Sequence, residues 1–560
     1  MNHPTEPKRT RYQAVLVLLW LAFLTRGAWY AAVAPAWEGF DEPFHFAYLQ
    51  HVAAGLGPPA RNVAVSQEVQ DSLHLLPVPW ELQFQRIPPP LTTDEAYWRL
   101  PQDERARREA VARSLAASTQ YRPGSEQVLN YEAQQAPLYY WCFAAPLRAM
   151  AGAPLLSQIF ALRMLNVLLA SAVIPLCYLL ARQVLGPAQA VGAAALLVLL
   201  PELMINLARV SNECMAILCY SVVLISAVKA VAESLHWRWW LLLGAALGCG
   251  LLTKAYFLTA VPAVVLIVAY VLLRGESSGR ERLTILLRAL AGGALTFAIA
   301  GRLYLGIHAR TGSWSGQGDD VALRGMSFGA KLAAVPHVNW KSGVVSVLLS
   351  HIWFGGWSFL RLPLVWYVMG FAFVAAGVAG FIVRLARCRY TENQRQSIFV
   401  LGAFYLCFWG GLGYHVLITY LNQGVSASEG WYLYSLVTAE VVLLIWALQA
   451  FFSARLVVTG VVTAAAIADL YGVHALLLPY YTGLAQHQSG RVATALGQTM
   501  AHLRLALSRT AANRPDWLSH DFVMAMWVAY LAATAGTVVV TLLRYRPQDY
   551  VTPDDRKHAS

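Results

Sequence analysis

Two adjacent carboxylates, Asp41 and Glu42, follow the first long apolar run of the chain and stand among aromatic residues in the range 37–48. Partial loss of water around a carboxylate raises its pKa and makes it a more effective general base. On a helix that begins at Pro43, His45 lies one turn beyond the carboxylates. The three side chains could therefore share a substrate or a divalent metal ion such as Mg²⁺ or Mn²⁺. The other interpretation is an acidic cap on an interfacial helix, and this segment alone favours neither.

Several later segments also place polar side chains beside aromatic residues or helix starts. Each has a structural interpretation as well as a functional one, because interfacial aromatic residues usually anchor a helix and polar residues often cap it. The candidate substrate-binding residues in these segments are Glu132, Gln135, Tyr139, Asn212, Glu213, Trp353, Glu429 and Tyr432.

Lys254 ends an apolar run, and no acidic residue is adjacent to it in the sequence. A lysine at a helix end usually extends its ammonium group to the membrane surface. The ammonium group is also a compact point charge that suits a phosphate. Of these two interpretations we favour phosphate binding by Lys254.

The composition indicates that lipid surrounds most of the chain. Of its 560 residues, 58% are hydrophobic and 13% charged, with a mean hydropathy of +0.48, whereas a soluble domain carries about 25% charged residues. The net charge of +12 is spread over short clusters between apolar runs, which argues against nucleic acid as a partner. The seven cysteines form no CxxC pair and predict neither a disulfide framework nor a zinc site.

The apolar runs predict an all-α polytopic membrane protein. A helix needs roughly 20 apolar residues to cross the hydrocarbon core, and about twelve such helices (11–13) can be found. Pro35, directly after the first run, argues that this run is retained rather than cleaved as a signal peptide. The predicted spans are approximately 12–34, 157–181, 188–206, 211–232, 237–253, 255–273, 284–307, 361–383, 397–420, 431–452, 456–477 and 521–543.

Lysine and arginine cluster in alternate connections and in the C-terminal tail, which predicts that both termini are cytoplasmic. Within one transmembrane domain of residues 1–560, the opposite face then receives the large first loop 36–156 and the loops 308–360 and 478–520. Interfacial helices are expected in the first loop and over residues 326–357. Because the candidate residues described above also fall on this outer face, we expect one extracytoplasmic site.

Five charged residues lie inside predicted spans. A charge at the centre of a span costs at least ~2.5 kcal/mol, so each is expected to face the bundle interior with a partner. The five are Arg26, Arg163, Arg302, Glu440 and Asp469.

In their order and sidedness, the short motifs of this chain resemble those of the GT-C superfamily of membrane glycosyltransferases. The resemblance is to the bacterial relatives of protein O-mannosyltransferases and to the lipid A aminoarabinose transferase, and it runs nearly from end to end. The motifs are Phe40-Asp41-Glu42-x-x-His45-Phe46, Gln135-Ala136-Pro137-Leu138-Tyr139-Tyr140, Ser211-Asn212-Glu213, Thr253-Lys254 and Trp353-Phe354-Gly355-Gly356-Trp357.

The resemblance implies a GT-C-like fold and transfer of a sugar from a polyprenyl-phosphate donor on the extracytoplasmic face. The acceptor would be a protein, a glycolipid or a polymer. Asp41 is then expected to be the general base, with Glu42 and His45 orienting the acceptor or a metal, and the sugar is expected to invert. The short loops and the lack of an endoplasmic-reticulum retention signal favour a bacterial inner membrane with the site facing the periplasm.

One motif departs from the family pattern. Relatives often carry Gly-Arg-Tyr where this chain has Gly430-Trp431-Tyr432. If that arginine holds the donor phosphate, other cations must replace it here, or the donor differs. The candidate replacements are Lys254, Arg209 and Arg302.

Two other classes of function compete with a transferase. A transporter or flippase of lipid-linked sugars would use a similar cavity without bond chemistry, and twelve spans suit it. The sequence shows no repeated halves of the kind many transporters have, and a transporter leaves the large first loop unexplained. The third possibility is an assembly or scaffold protein that has lost the activity together with the missing arginine.

Overall fold

The computed structural model describes residues 6–85, 87–116, 120–274, 278–387, 390–485, 487–488, 491–492 and 496–544. Almost all regular structure in these ranges is helical. The helices of the first half are α1 Glu6–Val33, α2 Glu42–Ala53, α3 Gln67–Leu75, α4 Asp94–Tyr97, α5 Gln102–Ser114, α6 Leu138–Ala149, α7 Leu155–Ala170, α8 Val173–Ala181, α9 Pro187–Leu199, α10 Pro201–Leu207, α11 Glu213–Ala232, α12 Trp237–Leu251 and α13 Ala260–Leu273.

The second half of the chain continues in the same way. Its helices are α14 Gly279–Thr311, α15 Gly318–Ala322, α16 Phe328–Ala334, α17 Trp340–Ile352, α18 Leu364–Arg387, α19 Glu392–Gln423, α20 Val437–Leu448, α21 Ala454–Tyr471, α22 Leu478–Tyr481, α23 Leu496–Ala501, α24 Leu503–Thr510 and α25 His520–Arg544. Short 3₁₀ helices cover Trp80–Phe84, Tyr131–Gln134, Ala255–Thr259, Val335–His337 and Gly430–Leu436, and a π-helix covers Gly472–Leu477. One two-residue antiparallel hairpin joins β1 His487–Gln488 to β2 Arg491–Val492.

The predicted all-α polytopic fold is confirmed. Within the described residues, ten helical segments are long and apolar enough to cross a membrane, or eleven if α9 and α10 form one bent span. These two helices meet at 60°, because Pro201 lacks an N–H group and disfavours helical backbone at Leu200. The predicted span 237–253 is the short helix α12 of 15 residues, about 22 Å long, so it is shorter than the ~30 Å hydrocarbon core.

The first loop is a folded layer rather than a flexible connection. Helix α2 packs on α6, where the ring of Tyr48 stacks on that of Tyr140 with centroids 3.6 Å apart. The first loop also contains the helices α4 and α5, and residues 326–357 contain α16 and α17. Part of the loop 478–520 and the basic tail beyond residue 544 lie outside the described residues.

Arg26 and Asp469, both fully buried, tie α1 to α21. Two hydrogen bonds of 2.9 and 2.7 Å join the guanidinium group to the carboxylate. The hydroxyl groups of Tyr30 and Tyr530 donate to the same carboxylate at 2.7 and 2.6 Å. The expectation that these two intramembrane charges face the interior with a partner is confirmed.

Of the other three intramembrane charges, two have a partner and one is exposed. Arg163 pairs with Glu42, and Glu440 accepts from His351 across 2.7 Å, as expected. Arg302 is exposed on α14, so the prediction that it faces the bundle interior is wrong. Helix α14 has 33 residues and a length of about 50 Å. It exceeds the ~30 Å hydrocarbon core, so not every charge on it must be buried.

We predict that breaking the Arg26–Asp469 pair is costly. Arg26→Met leaves a buried carboxylate without its cation and should lower the free energy of unfolding by about 3–5 kcal/mol. Combining it with Asp469→Leu should recover much of that loss. Arg107→Met, which breaks an exposed pair with Glu104, is the matched control and should have little effect. Unfolding in detergent or bicelles measures all three, and equal stability of Arg26→Met and the control would contradict the prediction.

Candidate active site

The segment that carries Asp41 is held at Glu38. The buried Glu38 carboxylate accepts hydrogen bonds from the backbone N–H and hydroxyl of Ser358 at 3.0 and 2.9 Å, and from the Tyr481 hydroxyl at 3.3 Å. Its carbonyl oxygen accepts from the N–H of Trp357 at 3.2 Å. Burial raises the pKa of Glu38 to about 8, although these hydrogen bonds oppose the rise. The first loop is thereby joined to the segment after α17.

Glu42 holds the same segment from the other side. Its carboxylate receives two hydrogen bonds from Arg163, at 2.7 and 2.5 Å, and a third from the backbone N–H of Val210 at 2.8 Å. The side chain is fully buried. The sequence predicts that Glu42 acts on the acceptor or a metal, whereas in the structure both its oxygens already accept hydrogen bonds from Arg163 and Val210.

Asp41 lies between these two fixed points and is itself only half-buried. One carboxylate oxygen accepts a short hydrogen bond from the Tyr131 hydroxyl. In the described part of the chain, no hydrogen bond reaches the second oxygen. Burial raises the pKa of Asp41 above its ordinary value, while the Tyr131 bond and the charges of Arg209 and Lys254 oppose that rise. Asp41 therefore has one carboxylate oxygen that is free to accept a hydrogen bond or a proton.

Two buried cations share one carboxylate beside Asp41. Lys254, which lacks an acidic neighbour in the sequence, donates a short hydrogen bond to Glu213. Arg209 lies 3.9 Å from the same Glu213 oxygen, and the Tyr256 hydroxyl donates to the other at 2.9 Å. The Lys254 ammonium nitrogen also lies 5.3 Å from the Tyr256 ring centroid and 5.7 Å from that of Tyr432. This cluster retains one net positive charge, since two cations face one anion.

The other side of the site is polar but largely uncharged. His45 places Nδ1 2.7 Å from the Tyr140 hydroxyl and Nε2 3.6 Å from Glu132. Burial lowers the pKa of His45 well below its ordinary value and raises that of Glu132 to about 8. At neutral pH the imidazole is therefore neutral and Glu132 is mostly protonated.

Two acceptor atoms on this side are buried without a hydrogen-bond partner, namely one carboxyl oxygen of Glu132 and the amide oxygen of Asn212. The Asn212 amide nitrogen is occupied by the Thr253 carbonyl oxygen at 3.1 Å and, at 3.4 Å, by the side-chain oxygen of Gln135. Buried polar atoms normally have partners. A ligand that offers hydroxyl or N–H groups would supply them.

The remaining predicted residues are less central. The Tyr139 hydroxyl donates to Asn166 at 3.1 Å, and the Trp353 indole donates to the Leu360 carbonyl oxygen at 2.6 Å, so both are packing residues. Glu429 lies at the edge, 3.9 Å from His415. Arg302 is exposed on α14, and no contact with the cluster connects it to the predicted phosphate site.

The predicted metal ligands Asp41, Glu42 and His45 do not form a ligand group. Glu42 is bound to Arg163, and His45 faces Tyr140 and Glu132. Among the residues that the structure describes, no group of three or more His, Cys, Asp or Glu side chains is arranged to hold a metal ion.

Sequence reasoning missed two tyrosines that donate hydrogen bonds to candidate site residues. Tyr131 bonds Asp41 although 90 positions separate them, and no periodicity predicts such a contact. Tyr256 bonds Glu213 across 43 positions. Their only signal is proximity in the sequence to the candidates Glu132 and Lys254, respectively.

A comparison with known protein families supports the resemblance that the sequence motifs indicate. Residues 135–300 match the family model described as dolichyl-phosphate-mannose-protein mannosyltransferase, and this range holds Gln135, Arg209, Glu213 and Lys254. The predicted resemblance to the GT-C superfamily is confirmed. A comparison with curated proteins finds no match.

Two solved structures are similar to this chain at low sequence identity and low TM-score. ArnT from Cupriavidus metallidurans in the apo state is 13% identical with a TM-score of 0.38, over 88% of this chain and 75% of that chain. The archaeal oligosaccharyltransferase AglB from Archaeoglobus fulgidus, in complex with an inhibitory peptide and a dolichol-phosphate, is 14% identical with a TM-score of 0.35. That match covers 95% of this chain but only 56% of the oligosaccharyltransferase.

We predict that Tyr131 sets the titration of Asp41. The Asp41 carboxyl should titrate above the ordinary range of an aspartate, since burial outweighs the bonds that oppose it. Tyr131→Phe removes a hydrogen bond to the charged form and should raise this pKa further. Tyr121→Phe, in the same loop but bonded to the Ala64 carbonyl oxygen, is the control. Carbon-13 NMR or infrared titration measures the shift, and an unchanged pKa in Tyr131→Phe would contradict it.

Proposed function

We propose that this chain transfers a sugar from a polyprenyl-phosphate donor to an acceptor hydroxyl on the non-cytoplasmic face of a membrane. One observation carries the proposal: Asp41, a carboxylate with a free oxygen and a raised pKa, lies beside the buried cations Lys254 and Arg209. A hydroxyl needs a base because its own pKa is far above 7, and a departing phosphate needs positive charge. The site brings both together.

The reaction is a single displacement. The acceptor oxygen attacks the anomeric carbon while its proton passes to the free oxygen of Asp41. The bond between that carbon and the phosphate oxygen breaks, and polyprenyl phosphate leaves on the opposite face of the sugar. The sugar therefore inverts its configuration.

The charges of the site change in a favourable direction during this step. The bound donor phosphodiester carries one negative charge and Asp41 another. After transfer Asp41 is neutral, and the departing phosphate has gained the charge that Asp41 lost. Negative charge thus moves toward Lys254 and Arg209, whose cluster with Glu213 retains one net positive charge. Interactions that strengthen as charge develops are the ones that accelerate a reaction.

The acceptor is proposed to lie on the side of Glu132 and His45. A protonated Glu132 can donate a hydrogen bond, and the free amide oxygen of Asn212 can accept one. This wall offers uncharged hydrogen bonding, which suits hydroxyl groups of a glycolipid, a polymer or a protein.

The polyprenyl chain is proposed to lie in an apolar groove between α12, α13 and α14. The groove has a volume of about 500 Å³ and is lined almost entirely by apolar groups, among them Leu251 and Leu258. Lys254 stands between these two leucines in the chain, so the groove ends near the proposed phosphate site. Gly293 lines the groove, and a Cβ added there meets no atom within 4 Å. The placement in a bacterial inner membrane, with the site facing the periplasm, belongs to the same proposal.

We predict that Asp41→Asn abolishes transfer but leaves donor binding intact. Loss of a positioned base costs about 10²- to 10⁴-fold in rate. Asp71→Asn, the same change at the first-loop residue that accepts from Gln67, is the control. Purified protein is given a panel of radiolabelled polyprenyl-phosphate sugars, and transfer and binding are measured separately. A wild type that binds a donor without transferring it, with an identical Asp41→Asn, would favour a transporter or scaffold instead.

We predict that the donor head and tail are bound by separate parts of the chain. Lys254→Met combined with Glu213→Gln removes the ammonium group together with the carboxylate it bonds, while Arg209 keeps its hydrogen bonds to Phe40 and Asn206. This double variant should weaken binding of short- and long-chain donors alike. Gly293→Leu should weaken binding of long-chain donors only, because its side chain fills the groove. Lys331→Met combined with Asp320→Asn, which removes another lysine–carboxylate pair, and Gly460→Leu are the matched controls, since a Cβ at Gly460 also meets no atom within 4 Å. The dissociation constants of short- and long-chain donors test this prediction. If Gly293→Leu weakens binding of both donors equally, the groove is not the site of the polyprenyl chain.

A further inference from the structure

The residue before Asp41 is held by two groups. Trp431 stacks on the Phe40 ring with centroids 4.5 Å apart and planes at 11°. The guanidinium carbon of Arg209 lies 4.7 Å from the centroid of the same ring. Arg209 also donates a hydrogen bond to the Phe40 carbonyl oxygen at 2.9 Å. The ring and the backbone of Phe40 are thus both fixed.

Trp431 is itself held in place. The N–H of Gly430 donates to the Ser350 hydroxyl at 2.7 Å, and its carbonyl oxygen lies 3.2 Å from Nδ1 of His351. A Cβ at Gly430 would come within 1.9 Å of the Val347 carbonyl oxygen, so only glycine allows this approach to α17. The backbone next to Trp431 is therefore fixed against α17, and this limits movement of Trp431 relative to the Phe40 ring.

Asp41 has a backbone conformation that needs such support. Its φ of 58° is in the left-handed region, which is unfavourable for an L-residue. A conformation of this kind persists only where the surroundings impose it. Gly39 contributes to the constraint, since a Cβ there would come within 2.5 Å of the Arg209 side chain.

We propose that Trp431 is a positioning residue for Asp41. By stacking on Phe40 it holds the segment in the conformation that aims the Asp41 carboxylate between Tyr131 and the two cations. The proposal rests on the proposed function insofar as Asp41 is the base. The proposal gives a role to the tryptophan that this chain has in place of the arginine of the Gly-Arg-Tyr pattern. Trp431 contributes stacking on Phe40, and Lys254 and Arg209 bind the phosphate.

The test combines amide hydrogen exchange with kinetics on the full-length protein. The N–H groups of Phe44 and His45 both donate to the Asp41 carbonyl oxygen at 3.0 Å. Trp431→Ala should speed exchange in peptides that cover residues 38–46. It should also lower kcat about 10- to 100-fold, because small misplacements of a reacting group have effects of this size, with the donor dissociation constant unchanged.

Two variants separate positioning from general damage. Trp431→Phe keeps a stacking ring and should stay within about threefold of wild type in kcat. Trp366→Ala removes a tryptophan that packs near Tyr471, away from this segment, and should leave exchange at 38–46 unchanged. Wild-type exchange in Trp431→Ala would overturn the proposal, whatever happens to kcat. If Trp431→Ala exchanges faster but the wild type transfers no sugar, the proposed function is rejected. The positioning of Phe40 and Asp41 by Trp431 is then still supported.

Discussion

The buried ion pair between Arg163 and Glu42 fixes the end of the first span relative to the first loop. Arg163 donates to the carbonyl oxygens of Ala31, Ala34 and Pro35 at 3.2, 2.8 and 2.7 Å. These are carbonyl groups at the end of α1 that have no partner within the helix. The same guanidinium group holds Glu42 at the start of α2. One side chain on α7 therefore sets the path of the eight residues between α1 and α2, the last of which is Asp41.

The buried charges that surround the site are largely paired with charges of opposite sign. Arg163 and Glu42 neutralise each other, as do Arg26 and Asp469 deeper in the bundle. Near Asp41, two cations share the carboxylate of Glu213, and the ionised Asp41 carboxylate balances the remaining positive charge. Burial of an unpaired charge is expensive, so the positive charge left when Asp41 takes up a proton would favour the leaving phosphate of the proposed reaction.

The sequence predicts the helices well, because long apolar runs in lipid can form no other open structure. It also brings Asp41, Glu132, Glu213 and Lys254 to one face, since the basic loops determine sidedness independently of these residues. Partners across the chain were not predictable: the acid that binds Lys254 is 41 positions away. Hydropathy reports whether a helix spans a membrane but not which neighbour each helix contacts.

The same limit explains why the surroundings of two candidate residues differ from those that the sequence predicts. Glu42 stands beside Asp41 and has the same chemistry, yet the turn into α2 directs one carboxylate to Arg163 and leaves the other facing the open site. Arg302 lies in an apolar run like Arg26 and Arg163, but the length of α14 removes the need for a buried partner. Local sequence contains neither the direction of a side chain nor the depth of a residue in the membrane.

The configuration of the transferred sugar tests the role of Asp41 most directly. A donor of defined anomeric configuration is incubated with the purified protein and an acceptor, and the product is analysed by NMR. If Asp41 acts as a base in a single displacement, the anomeric carbon inverts. A product with retained configuration would require a covalent intermediate, with Asp41 or another group as the nucleophile, and would contradict the account.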